Sequence, residues 1–142
     1  MPLELLKPML PFLLAALDFL HTKAHMVHTD IQEGNIIFSI EDEAELKAIE
    51  EDEISEPSAR MVYGGEVAFL TRQVYTEIGT PKLIDLGEAR FGQDTYAEQV
   101  MPDLYRAPEV LLGLPWDAKI DIWALGLTMR STLPCNKDAP FD

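Results

Sequence analysis

Five leucines, Leu6, Leu10, Leu13, Leu17 and Leu20, follow a four-three spacing that draws one apolar stripe down a helix. Met9, Phe12, Ala16 and Phe19 fill the flanking positions, so this helix is apolar over most of its circumference and is expected at the centre of a core. Other elements must be built around it. Pro8 and Pro11 each lack an N–H, which predicts that the regular helix begins or kinks there, with residues 13–21 its secure part. The apolar run 9–20 is too short to cross a bilayer. It also makes a poor signal-peptide core, because Glu4 leaves the preceding residues nearly neutral and no small-x-small site follows.

A chain of 142 residues, 47% hydrophobic and 25% charged, is a globular domain or a piece of one. Twenty-five acidic against 11 basic residues give a formal charge of −14. That field repels nucleic acid and anionic membrane surfaces and attracts basic protein partners. The single cysteine, Cys135, has no internal partner for a disulfide, so a reducing compartment is expected, cytoplasmic and/or nuclear.

Residues 35–40 have the β-branched and aromatic content of a short strand, and residues 81–85 suggest a second. About forty residues that neither strand needs, roughly 41–80, lie between them as an acidic insert. Its first part, 41–56, holds nine acidic residues, with Asp42 and Glu45 spaced as a capping box and Glu43 with Lys47 as an i,i+4 pair, so a short solvated helix is expected. Residues 61–63 and 66–70 flank Gly64-Gly65, which predicts a hairpin. Residues 87–106 show no sustained period and are expected as a loop. Asp117 is placed to cap a helix whose Ile120, Trp123 and Leu127 share a face, and Pro134 and Pro140 end it early.

Three short motifs occur in order: His28-Thr29-Asp30-Ile31-Gln32-Glu33-Gly34-Asn35, then Asp85-Leu86-Gly87, then Ala107-Pro108-Glu109, trailed by Asp121-Ile122-Trp123-Ala124-Leu125-Gly126. Each alone is weak; the order and the flanking strands make them specific. Over residues 13–128 the chain resembles the C-terminal lobe of eukaryotic protein kinases, with its H-R-D-x-x-x-x-N, D-F-G and A-P-E patterns. The fold implied is mainly α with a small β component. The resemblance implies protein serine/threonine kinase activity with ATP and Mg²⁺, because phosphoryl transfer needs an aligned acceptor hydroxyl and cations on the phosphate oxygens. Asp30 matches the carboxylate that takes the hydroxyl proton. Asn35 and Asp85 match the metal ligands, Gly34 and Gln32 line the ATP side, and Ala107, Pro108 and Glu109 match the floor of the substrate site.

Two departures refine the resemblance. Thr29 replaces the usual Arg that pairs with a phosphorylated activation loop, so control through Thr95 or Tyr96 is not expected. His-Thr-Asp with Asp-Leu-Gly and a long insert is similar to the SR-protein kinase branch, which implies a basic, Arg/Ser-rich substrate. Gln32 stands where these kinases usually place a Lys that contacts the γ-phosphate, and an amide supplies no cation. The alternative is therefore a catalytically dead kinase-like module that binds a basic protein. Only 29 residues precede Asp30, so the small ATP-binding lobe has no counterpart, nor do the distal helices of the large lobe. A partial domain that is inactive alone is expected.

Plainer readings compete with these. Asp30, Asn35 and Asp85 could be turn residues, His21, His25 and His28 with Asp30 could suggest zinc, and the acidic run could be a solvated face. Trp116 and Trp123 are expected as core anchors.

Overall fold

The computed structural model describes residues 3–70, 79–92 and 94–132. The expected stop at Pro134 and Pro140, Cys135, and residues 71–78 of the insert lie outside the described residues. The chain divides into two compact units, one comprising residues up to Ile37 and from Pro81 onward, the other Phe38–Thr80.

In the first unit α1 spans Leu3–Thr22 as one helix with Pro8 and Pro11 inside it. The expected start at the prolines is not seen. Their fixed φ of about −65° suits a helix, and the cost lies in absent hydrogen bonds to residues 4 and 7. Burial of Met9, Leu13 and Leu17 on one stripe offsets it. Among the described side chains, that stripe is all that α1 fully buries. Leu10, Phe12, Leu14 and Phe19 are exposed, so the helix flanks the core rather than occupying its centre.

Two very short strands, β1 (Met26–Val27) and β6 (Arg90–Phe91), pair antiparallel with Val27 opposite Arg90. Neither was anticipated, since two residues carry no period, and β6 falls in the segment expected as loop. The predicted strands appear as β2 (Ile36–Phe38) and β5 (Pro81–Leu83), hydrogen-bonded neighbours in a second two-stranded sheet. α3 (Pro108–Leu111) opens with Pro at its first turn, where the missing N–H costs nothing. α4 spans Lys119–Thr132.

The core joins Met9, Leu13 and Leu17 to Val27, Ile31, Val100, Val110, Ile120, Ala124 and Leu125. Trp116 is 2% exposed and anchors it as expected, stacked on Tyr96 with ring centroids 4.7 Å apart. Trp123 does not. It is 44% exposed, because the buried face of α4 runs through Ile120, Asp121, Ala124, Leu125 and Thr128. That face lies to one side of the predicted Ile120, Trp123, Leu127 line.

The second unit contains α2 (Glu43–Ser55), capped by Asp42, whose side chain accepts from the Ala44 N–H at 2.8 Å. β3 (Arg60–Tyr63) and β4 (Glu66–Phe69) form the expected hairpin, with Tyr63 opposite Glu66. Gly64 and Gly65 have φ of 59° and 89°, the left-handed pair that a two-residue type I′ turn requires. The ends of the unit meet where the Ser39 N–H donates to the Thr80 carbonyl at 3.0 Å. A Cβ added to the neighbouring Gly79 would lie 2.0 Å from the Ser39 carbonyl oxygen. Gly79→Ala is therefore expected to destabilise this junction by about 1–3 kcal/mol, the scale of an overpacked site. Faster hydrogen exchange of the Ser39 amide, with protection around Trp116 unchanged, is the measurement; unaltered Ser39 protection would show that the close approach is not maintained in solution.

Candidate functional site

α1 and β1 deliver the chain to residues 28–35, and α4 fixes the path from there. Asp121, fully buried, accepts from the His28 N–H at 2.8 Å through Oδ2 and from the Thr29 N–H at 2.9 Å through Oδ1. His21 Nε2 lies 2.8 Å from the same Oδ2. Thr29 has φ of 66°, an unfavourable conformation for a β-branched residue, and it is held there by Asp121 and by its Oγ1 donating to the Glu88 carbonyl at 2.6 Å. This turn redirects the backbone so that Asp30 emerges half-buried.

Asp30 is gripped by two amides. Gln32 Nε2 donates to Oδ1 at 2.8 Å, and Asn35 Nδ2 donates to Oδ2 at 2.7 Å and to the Asp30 carbonyl at 2.8 Å. Residues 33–35 make a 3₁₀ turn that brings Asn35 back beneath Asp30. The Ile84 N–H then donates to the Asn35 carbonyl at 3.0 Å, and His28 Nε2 lies 3.1 Å from the Ile84 carbonyl. These two contacts set the segment carrying Asp85 beside the 28–35 loop. Asp85 is exposed, with φ of 65°, and its Oδ1 accepts from the Gly87 N–H at 3.1 Å.

Of the residues singled out in the sequence, Asp30, Gln32 and Asn35 thus form one hydrogen-bonded cluster with Asp85 on the adjoining segment. Gly34 is exposed with open space where a side chain would stand. The remaining three are placed differently. A cleft of about 480 Å³ beside Asp30 and Gln32 is walled by Glu88, Val100, Met101 and Arg106, and not by Ala107, Pro108 or Glu109. Ala107 is fully buried, its N–H 3.5 Å from the Met101 Sδ, and Pro108 opens α3. Glu109 lines an apolar groove with Ile122, Trp123 and Leu127.

The sequence reading gave Glu88 and Arg106 no place at the site, read His21 only as a zinc candidate and quoted Asp121 only within a trailing motif. Arg106 holds the cleft wall, donating to the Val100 carbonyl at 3.1 Å and the Met101 carbonyl at 2.8 Å while pairing with Asp103 at 2.8 Å. Asp121 left a signal, the one carboxylate in residues 119–132; Glu88 and Arg106 left none. Further along, Arg90 Nε donates to Glu98 Oε1 at 3.1 Å. The Glu98 carboxyl is held below its ordinary value, first by its own backbone N–H, against an opposing desolvation, with the Ala97 N–H and Arg90 adding to the lowering.

His21 and His28 are committed to Asp121 and Ile84, and no group of three metal-ligating side chains occurs among the described residues, so the zinc cluster does not form. Asn35 uses its Nδ2 on Asp30, which leaves its amide oxygen available, and Asp85 offers an exposed carboxylate. Two hard oxygen donors suit Mg²⁺, which binds through one or two protein ligands and completes its shell with water and phosphate.

A serine/threonine protein kinase of Aspergillus fumigatus is 38% identical over 131 residues, covering 89% of this chain and 30% of the relative. The serine/threonine-protein kinase SRPK of Physarum polycephalum is 31% identical over 144 residues, covering 87% of this chain and 34% of the relative. The crystal structure of a kinase domain superposes with a TM-score of 0.51 at 29% identity, covering 82% of this chain and 30% of that one. No protein-family profile matches the chain. The fold is that of a protein kinase large-lobe segment. The chain corresponds to that segment of eukaryotic serine/threonine protein kinases, and its relatives include the SR-protein kinase branch. It spans about a third of the length of the curated relatives it matches.

Proposed function

We propose that this segment carries the catalytic loop of a serine/threonine protein kinase that transfers the ATP γ-phosphate to a basic, Arg/Ser-rich protein in a reducing, cytoplasmic or nuclear compartment. The observation that carries the reading is the Asp30 carboxylate, oriented by Gln32 and Asn35 at the mouth of the cleft walled by residues 99–102. Asp30 accepts the proton of the substrate hydroxyl as it attacks. Asn35 and Asp85 would hold Mg²⁺, which when bound neutralises charge on the transferred phosphate. Asp121 performs no chemistry; it fixes the turn on which Asp30 is mounted. The net charge of −14 favours a basic substrate by long-range attraction.

A second reading, a kinase-like module without catalysis, is favoured by Gln32, whose amide is spent on Asp30 and supplies no cation. One experiment separates them: a chimaera in which this chain replaces the matching segment of the Physarum kinase, made with Gln32 and with Gln32→Lys. Phosphorylation of an Arg/Ser peptide by the Gln32 form supports catalysis, with the Lys form expected to be faster by up to about 10²-fold, the scale of one well-placed donor. Activity in the Lys form alone supports the non-catalytic module. A folded chimaera silent in both forms counts against the loop as a phosphotransfer site.

A further inference from the structure

The second unit carries features that phosphotransfer does not use. Every position of β3 and β4 is exposed, and their register places Val62 opposite Val67 and Arg60 opposite Phe69 on one face of the hairpin. Val62, Val67 and Phe69 are 66%, 49% and 65% exposed, and Leu70, the next residue after β4, is exposed too. An isolated two-stranded hairpin is marginal in water, and its apolar face and strand edges favour another segment laid against them.

Charge says what kind of segment. Positions 38–80 hold eleven acidic and three basic residues, the densest negative stretch of the chain. α2 presents Glu50, Glu51 and Asp52 to solvent and has no buried residue. Its last turn is tied to the start of the hairpin, where Ser58 donates to the Glu53 carboxylate through its N–H at 2.7 Å and its hydroxyl at 2.6 Å. A second copy of this chain would bring the same negative charge against itself. A partner with apolar side chains on one face and cations on the other satisfies both surfaces.

We infer that the β3–β4 hairpin together with α2 is a docking surface for an extended basic segment in which Lys or Arg alternates with apolar residues. It goes beyond the catalytic reading, and the assay contains no nucleotide, so its failure is independent of any failure of phosphotransfer.

The test uses the whole chain and three short fluorescent peptides: alternating Lys and Val, alternating Glu and Val, and alternating Lys and Ser. The Lys-Val peptide is expected to bind, more weakly as salt rises, and at least about tenfold more tightly than either other peptide. Two variants address the two halves. Val62→Thr with Phe69→Ser removes the apolar face, and Glu50→Gln with Glu51→Gln removes charge without touching the hairpin. Each is expected to weaken Lys-Val binding at least about tenfold for the first and severalfold for the second, with Trp116 fluorescence unchanged as the check on the first unit. Equal affinity for Lys-Val and Lys-Ser, or no effect of the hairpin variant, would reduce the surface to a diffuse field and overturn the proposal. So would absence of binding, or concentration-dependent self-association that the hairpin variant abolishes while Lys-Val has no affinity.

Discussion

Asp30→Asn is expected to lower kcat of the chimaera at least about a hundredfold while moving substrate KM little, because proton transfer by a positioned base contributes on that scale. The geometry sharpens the expectation. Both Asp30 oxygens accept hydrogen bonds, from Gln32 and from Asn35. An amide at position 30 has one acceptor oxygen, so its NH₂ must face one of those two donors. The substitution thus removes the base and also turns the side chain away from the cleft. Turnover within a factor of a few of the parent would remove Asp30 from the role of base. A loss confined to KM would place it in substrate binding instead.

Asp121→Asn is expected to cost about 3–5 kcal/mol of stability, the scale on which removing one partner of a buried charged network operates. One Asp121 oxygen accepts from the Thr29 N–H, and the other accepts from the His28 N–H with His21 also at 2.8 Å. Asn can satisfy one side of that arrangement; on the other it sets donor against donor in a fully buried place. Thr29 then loses the contact that holds its left-handed φ, and the turn bearing Asp30 relaxes. Chemical denaturation of the chain followed at Trp116 measures the loss. Stability within about 1 kcal/mol of the parent would show that the turn is held by packing, not by this carboxylate.

The Asp30 cluster was legible because Asp30, Gln32 and Asn35 lie close together in sequence at a recognisable spacing. Asn35 follows Asp30 by five positions, the last three of them a 3₁₀ turn, and Asp85 follows a strand that its composition announces. The hairpin was legible for a similar reason, since Gly64-Gly65 admits few turn types. What the sequence concealed is what depends on distant partners. β1 and β6 exist only because each supplies the other's hydrogen bonds, and Asp121 acts across more than ninety residues. Helix faces were misjudged for a related reason. Apolar periodicity tells how much of α1 and α4 can be buried, while the elements present decide which part is. Trp123 and Phe19 are apolar and exposed, whereas Thr128 and Asp121 are polar and buried.

The Ser39–Thr80 hydrogen bond closes the inserted unit at its base, and one step nearer the site the Asn35–Ile84 bond closes the same loop again. Such a double clasp separates the length of what it encloses from the geometry beneath it. The entropy of closing a loop grows only with the logarithm of its length, about 0.6 kcal/mol for each doubling, and here that cost falls on a pair of strands already fastened together. The position between Phe38 and Thr80 is therefore a permissive graft point. Residues there are free to lengthen, change charge or acquire new partners over evolutionary time without moving Asp30 or Asp85. Natural variation in a lineage of such proteins should accordingly accumulate inside the clasp and spare the few residues that fasten it.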